Sequence, residues 1–189
     1  MSDDTKLKRS ARLISRPILA GALAMTVLPA VHAEAAPTLF LKITDIKGES
    51  MDDKHRGEIE VSSFSAGFAS SSTQNGTVRL GKPACGPVTI NKNLDSASGP
   101  LVNALMKGAV LPEAVVEITT TVDGKGSVPY YRVTMKNVTV SSLSQSGDGD
   151  ARPTEELELL PLSVQMEYRM QDEKGTLTPF SSVTVDCKK

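Results

Sequence analysis

The sequence predicts a mainly β protein, an antiparallel barrel or sandwich that carries one short α-helix. Three observations predict this class. Apolar and polar residues alternate with a period of two along most of the chain from Leu39 onward. The alternating runs are short and are separated by turns rich in Gly, Ser and Asp. One segment alone, beginning at Ser98, has helical spacing. The chain has 189 residues, which is the length of one domain.

The first half of the chain predicts a strand, a long polar loop and further strands. Leu39, Leu41 and Ile43 alternate with Phe40, Lys42 and Thr44, as in a strand with two distinct faces. Ile59 and Val61 alternate with polar neighbours in a second strand. Residues 47–57 between these strands form a polar loop. The Ser-rich run 69–76 ends in Asn-Gly and predicts a turn, followed by short strands at 77–80 and 88–92.

The predicted helix begins at Ser98-Gly99-Pro100, with Ser98 or Gly99 as the N-cap and Pro100 in the first turn. We expect Leu101, Leu105 and Val102 to face inward. Gly108 supplies the left-handed exit, so the helix has two to three turns by its spacing, about 10 residues.

Strands resume after the helix. The alternation predicts strands at 114–122, 128–143, 157–170 and 180–187, joined by turns at 123–126 and 172–175 and by a flexible loop at 144–153. Pro161 interrupts the third of these runs and predicts a bulge or an edge kink. Tyr131, Val133 and Met135 share one face, and Met166 and Met170 are expected to fill the core.

The N-terminal residues have the pattern of a Sec-type signal peptide. A positive region is followed by the short apolar run Pro17–Pro29 and by small residues around Ala33 and Ala35. The run is too short for a permanent membrane anchor. We therefore expect residues 1–35 to be a signal peptide, residues 36–189 to be the domain, and the protein to reach the periplasm or the medium. The alternative is translation from Met25, without export.

Composition and residue patterns disfavour nucleic-acid binding and catalysis. The net charge is −1, there is no basic stripe, and Trp is absent, so a nucleic-acid partner is not expected. After cleavage His55 is the only histidine, and no Gly-x-Ser-x-Gly elbow is present. We expect no enzyme activity and no cofactor.

Two groups of carboxylates invite a metal interpretation. Glu49, Asp52, Asp53 and His55 are ligand types, but they lack a diagnostic spacing and are better explained as a solvated polar loop. The segment Asp148–Asp150 resembles a fragment of a calcium loop without its bidentate Glu. We expect no metal site.

The mature chain keeps two cysteines, Cys85 and Cys187. An even count in an exported protein favours a disulfide, which would contribute roughly 4–5 kcal/mol in the chain-entropy model. In a cytosolic protein the same residues would be two unpaired thiols.

Several short segments together resemble one known family. They run in order along nearly the whole mature chain: Phe40–Ile43, Ile46–Ser50, His55, Ile59–Val61, Ser63–Ser65, Gly67, Ser98–Leu101, Pro112–Ala114, Val140–Ser142, Pro153–Glu155 and Tyr168. In this order and spacing they are similar to haemolysin-coregulated protein (Hcp), the tube protein of type VI secretion systems. The cysteine pair and the export signal depart from the family pattern.

The resemblance implies an antiparallel β-barrel of two packed sheets with one short α-helix, six copies of which form a ring. It also implies rings stacked into a tube, with sheath, spike or effector proteins as partners, and secretion through the type VI apparatus as the alternative route. The strand–loop–strand region is the expected subunit contact, with these residues: Lys47, Gly48, Glu49, Ser50, Asp53, His55 and Phe64. The alternatives are a monomeric periplasmic or extracellular binding module and, ranked last, a small hydrolase.

Overall fold

The structure is a computed structural model that describes residues 38–74, 78–122, 126–172 and 176–187. The predicted signal peptide, residues 1–35, lies outside the described residues, and so do the centres of the turns predicted at 123–126 and 172–175. No helix in the described ranges is long and apolar enough to cross a membrane.

The described residues form eight strands and one α-helix. In chain order these are β1 (Thr38–Ile43), β2 (Ile59–Gln74), β3 (Val78–Asn93), α1 (Ser98–Lys107), β4 (Val110–Val122), β5 (Gly126–Ser146), β6 (Thr154–Leu160), β7 (Ser163–Tyr168) and β8 (Ser181–Asp186). The predicted fold class, mainly β with one short helix, is confirmed.

The sheet closes on itself. The strand order is β4-β1-β2-β3-β6-β5-β7-β8, every pairing is antiparallel, and β4 also pairs with β5. The additional pairing closes the ladder β4-β1-β2-β3-β6-β5 into a barrel, while β7 and β8 extend from β5. Closure satisfies backbone groups that an open sheet would leave unpaired at its edges.

Strand β5 pairs with other strands along both of its edges. Residues 126–139 pair with β4 on one edge, and on the other edge residues 131–136 pair with β7 and residues 139–146 with β6. Strands β6 and β7 therefore act as one long strand that bends at the buried Pro161. The kink predicted at this proline is confirmed, since a proline interrupts a strand ladder.

The β2–β3 hairpin is longer than the sequence indicated. The Ser-rich run predicted as a turn from residue 69 continues β2 to Gln74, and β3 is one strand rather than two. Within the described residues, the part of the hairpin from residue 67 to 74 and from 78 to 87 pairs only with itself, and we call it the ribbon. Cross-strand hydrogen bonds hold these residues extended, so pairing overrides their weak intrinsic strand preference.

The inward-facing residues of the strands form the core, with Leu101 and Ala104 of α1 packed on them. Fully buried strand residues include the following: Leu41, Ile59, Ile90, Ala114, Val116, Val133, Met135, Val138, Leu157, Leu159 and Val164. Burial of this apolar surface is the main favourable term in folding. Tyr131 is half-buried and Met166 packs against the core, as predicted.

Three local predictions were wrong. Ala97 is the N-cap of α1 and no side chain caps the helix, because the Ser98 hydroxyl turns inward to a buried acid. Val102 is exposed on the outer face of α1. Met170 is also exposed, because it follows the end of β7 and lies beyond the packed part of the sheet. Gly108 adopts the left-handed conformation expected of it, with φ 59°.

A charged cluster lies inside the barrel. Lys92 and Glu155 are cross-strand partners on β3 and β6, their side chains are fully buried, and they form an ion pair. Lys92 Nζ also lies 2.7 Å from Asp95 Oδ1, and Glu155 accepts hydrogen bonds from Ser98 Oγ (2.6 Å) and Gln145 Nε2 (2.6 Å). Burial raises the pKa of Glu155, but the bonds from Lys92, Ser98 and Gln145 outweigh burial, so its pKa is lowered.

Lys92→Met is expected to lower the free energy of unfolding by about 3–5 kcal/mol, because it leaves the buried Glu155 carboxylate without its cation. Urea denaturation measures the loss. Lys136→Met is the matched control, since Lys136 pairs with Glu113 on the exposed face of the same barrel. The control is expected to lose about 1 kcal/mol or less. Equal losses in the two variants would contradict the prediction.

Candidate functional site

The loop that joins β1 to β2, residues 44–58, carries most of the predicted contact residues, and we call it the 44–58 loop. The chain folds back on itself here. Gly48 N–H donates to Gly57 O (2.9 Å), Ser50 N–H to Glu58 O (3.0 Å) and Gly57 N–H to Ser50 O (2.8 Å). These bonds satisfy backbone groups in a segment that has no sheet partner, so the loop is an ordered element.

Gly48 is required by the close approach of the two arms of the 44–58 loop. A Cβ at Gly48 would lie 2.4 Å from Glu58 O and 2.6 Å from Ile59 Cα. Both contacts are to backbone, which cannot move aside as a side-chain end can. Only glycine fits this crossing.

His55 fastens the 44–58 loop to the barrel. Its ring is buried, with 3% of the residue exposed, and it stacks on Phe40 of β1 at a centroid distance of 4.0 Å. Nδ1 lies 2.8 Å from Asp52 Oδ1, and Nε2 lies 3.1 Å from Glu117 Oε2 on β4. The ring is thus held between one carboxylate of the loop and one carboxylate of the barrel.

The two carboxylates beside His55 are held in their ionised forms. The hydrogen bond from His55 is the largest effect at Asp52 and lowers its pKa. Burial raises the pKa of Glu117, but hydrogen bonds from His55 and from Arg132 outweigh burial and lower it. Arg132 Nε lies 2.5 Å from Glu117 Oε1, and its Nη1 lies 3.4 Å from Glu167 Oε2 on β7. The pKa of Arg132 is raised: burial lowers it, but the two carboxylates outweigh burial.

The opposite side of the 44–58 loop is tied to the segment before α1. Ser96 N–H donates to Glu49 Oε1 (2.9 Å), and Ser96 Oγ donates to Lys47 O (3.2 Å). Arg152 Nη1 lies 3.6 Å from Glu49 Oε2 across the surface. Glu117 thus holds the loop on one side, and Ser96 holds it on the other.

The predicted contact residues divide into buried and exposed groups. Gly48 is partly buried, and Ser50 and His55 are buried, so within the single chain these three position the 44–58 loop. That they belong to a subunit contact stays a prediction. Lys47, Glu49 and Asp53 are exposed.

Phe64 is the one predicted contact residue outside the 44–58 loop. It lies on β2, is half-buried, and packs against the core with its ring centroid 6.1 Å from that of Tyr131. The prediction that Phe64 contributes to a subunit contact stays a prediction.

An open cleft of about 330 Å³ lies beside His55, between the 44–58 loop and strands β1, β4 and β5. Its charged lining consists of Lys42, Lys54, His55, Glu58, Glu113, Glu117 and Arg132. Small-molecule sites are mostly apolar with few polar groups, whereas this lining is mostly charged. The cleft therefore does not resemble a typical small-molecule site. In the described residues no group of three or more His, Cys, Asp and Glu side chains is placed to hold a metal ion.

Glu117, Arg132 and Ser96 were not identified from the sequence. Glu117 and Arg132 are cross-strand partners on β4 and β5. Their contact could be predicted only from the pairing register of the two strands, because no local motif contains both residues. A charge of each sign at facing positions of adjacent strands is the pattern that a register prediction would have exposed.

The two cysteines meet at the end of β8. Cys85 Sγ and Cys187 Sγ are bonded at 1.97 Å, with 5.2 Å between the Cα atoms, and the bond spans 102 residues of sequence. The pairing has the connectivity that was predicted from the residue count.

The chain is similar to proteins of one family. The family model described as "Type VI secretion system effector, Hcp" matches residues 40–168. Protein hcp1 of Pseudomonas aeruginosa is 34% identical over 143 residues, which cover 74% of this chain and 88% of that protein.

Solved structures of type VI secretion proteins are also similar to this chain. A type six secretion system protein is 30% identical with a TM-score of 0.74, covering 80% of this chain and 96% of that one. Hcp1 from Salmonella typhimurium is 28% identical with a TM-score of 0.63, covering 80% and 95%.

Glu117→Gln is expected to lower the free energy of unfolding at pH 7 by roughly 1.5–3 kcal/mol, because the charged acceptor of His55 and Arg132 is lost. A depressed carboxylate pKa contributes stability above the unfolded pKa and loses it as the pH falls through the folded pKa. The difference between the wild type and the variant should therefore shrink below about pH 4.3. Urea denaturation across pH measures it.

Glu113→Gln is the matched control for this prediction, because Glu113 lies on the same face of β4 and pairs with the exposed Lys136. We expect a loss of about 0.5 kcal/mol or less with little dependence on pH. A loss in Glu117→Gln that stays constant down to acid pH would contradict the assignment.

Proposed function

The chain belongs to the Hcp family of type VI secretion proteins, and we propose that it is a non-catalytic structural subunit that assembles into a closed ring of six copies. The observation that carries the proposal is the family match over residues 40–168, which includes the whole 44–58 loop and every strand from β1 to β7 except the first residues of β1. The Hcp family is one of secreted structural proteins, not of enzymes.

The 44–58 loop suits a ring contact because it is ordered before any partner binds. Its bonds to Glu117 and Ser96 fix its position, while Lys47 and Asp53 stay exposed. A pre-ordered surface loses little conformational entropy on association. In a ring, contacts are heterologous, so this surface would meet a different face of the next copy.

Exposed apolar side chains on the barrel supply a candidate for that second face. Val110 of β4, Thr139 of β5 and Leu160 of β6 are direct cross-strand neighbours and share one face of the sheet. Val110 is 59% exposed and Leu160 is 43% exposed. Covering such side chains is favourable, at about 25 cal/mol per Å² of apolar surface.

The arrangement around His55 gives no support to hydrolysis. Both ring nitrogens contact carboxylates, so neither is available to accept a proton from a nucleophile. The cleft beside His55 is charged and open, which also argues against a monomeric module that binds an apolar ligand.

We further propose that residues 1–35 direct export through the Sec pathway, with secretion through the type VI apparatus as the alternative route. The Cys85–Cys187 pair supports the Sec route, because disulfides persist in oxidising compartments. Sheath, spike or effector proteins of the type VI system are the partners that family membership suggests.

Light scattering after gel filtration tests the ring proposal. Protein purified from cells that express the full sequence is expected to elute at micromolar concentration with the mass of six copies. Asp53→Lys is expected to weaken association by about tenfold or more, because it reverses a charge at the proposed contact. Glu156→Lys, a charge reversal at an exposed position of β6, is the matched control. A monomer at every micromolar concentration would overturn the ring.

N-terminal sequencing tests export. Protein recovered from the native host is expected to begin at Glu34 or Ala36, after cleavage by signal peptidase. A start at Ser2 or Met25 would contradict the Sec route and favour the type VI route.

A further inference from the structure

Two strands share one edge of the long strand formed by β6 and β7. β3 pairs with β6 from Asn93↔Thr154 as far as Val88↔Leu159, and β8 pairs with β7 from Ser181↔Tyr168 to Asp186↔Ser163. Cys187 N–H then donates to Leu162 O (2.9 Å). Only Leu160 and Pro161 separate the two partners along this edge. β8 therefore ends where β3 begins to pair.

The disulfide joins β8 to β3 at this change of partner. Cys85 lies just before Val88, in the part of β3 that has left β6, and it pairs with Phe68 in the ribbon. Cys187 directly follows β8 and packs against the core. One covalent bond thus holds the end of β8 and the base of the ribbon together.

Other contacts of β8 are few in the described part of the chain. Its one strand partner is β7, and Ser181, Ser182, Val183 and Thr184 are exposed, Val183 by 52%. The segment before β8 is held by Phe180, whose ring lies under the guanidinium of Arg169 at 3.6 Å and near that of Arg132 at 5.2 Å. Such an edge strand, with little buried apolar surface, belongs to the least stable part of a fold.

We propose that the Cys85–Cys187 disulfide is a redox-sensitive latch that keeps β8 paired with β7 and fixes the base of the ribbon. In the oxidised form β8 is attached at both ends, by Phe180 and by Cys187. In the reduced form its C-terminal end loses the covalent attachment to β3 and keeps the pairing with β7 at the exposed edge.

A dithiol operates the latch by thiol–disulfide exchange. A thiolate of the dithiol attacks one sulfur, the second dithiol sulfur resolves the mixed disulfide, and two electrons and two protons pass to Cys85 and Cys187 as the dithiol becomes a cyclic disulfide. The barrel is not required to open, because none of its closing pairs involves β8. The latch is independent of the ring proposal, since it lies within one chain.

Hydrogen–deuterium exchange tests the latch. Protein purified from an oxidising compartment after expression of the full sequence is compared with the same protein treated with dithiothreitol. On reduction, amides of β8 and of the ribbon base around Cys85 are expected to exchange about tenfold faster or more, while β1 and β4 change by less than about twofold. Unchanged exchange in β8 would overturn the latch. Equal acceleration throughout the barrel would also overturn it, because the disulfide would then stabilise the whole fold and not β8 in particular.

The Cys85→Ser, Cys187→Ser double variant is the control. It is expected to exchange like the reduced wild type, with or without dithiothreitol. Thiol titration of the denatured, unreduced wild type is expected to find no free thiol; two free thiols would overturn the latch by showing that the bond does not form.

Discussion

The pairing of β4 with β5 is the constraint on which the rest of the structure depends. This pairing closes the barrel, and it also brings Glu117 beside Arg132 on the outer face. Glu117 lies 3.1 Å from His55 and faces Phe40, on which His55 stacks, across the β1–β4 pairing. Closure by β5 adds Arg132, whose bond holds the Glu117 carboxylate in place. A one-residue slip in this register would send Glu117 to the core and Val116 to solvent.

The pairing of β3 with β6 determines which side chains fill one part of the interior. Inward positions of β3 and β6 carry Val88, Ile90, Leu157 and Leu159, and the next inward positions carry Lys92 and Glu155. Lys92 and Glu155 are therefore buried because they occupy inward-facing positions of their strands. Their mutual bond, with Asp95, Ser98 and Gln145 around it, is what makes that burial tolerable. Because the Ser98 hydroxyl donates to Glu155, it does not cap α1.

Local periodicity was enough to predict the strands around Leu41, Ile59 and Val133, because burial on one face imposes alternation on each strand. The break at Pro161 was predicted from the proline, which cannot donate to a strand ladder. Periodicity failed to predict the structure where pairing with a distant strand determines the conformation. The Ser-rich ribbon has no apolar alternation and is extended through its partner strand, and Met170 lies beyond the sheet although its parity matches Met166. For the candidate site, His55 and Gly48 were found from sequence. Glu117 was not, because its partner is 62 residues away.

Arg132 connects the two regions on which the functional proposals rest. One guanidinium bonds Glu117, which holds the 44–58 loop, and lies near Phe180, which holds the segment before β8. The same guanidinium also lies 3.4 Å from Glu167 of β7. Arg132 therefore joins β4, β7 and the segment before β8 on one face of the barrel, because its side chain is long enough to contact Glu117, Glu167 and Phe180 together.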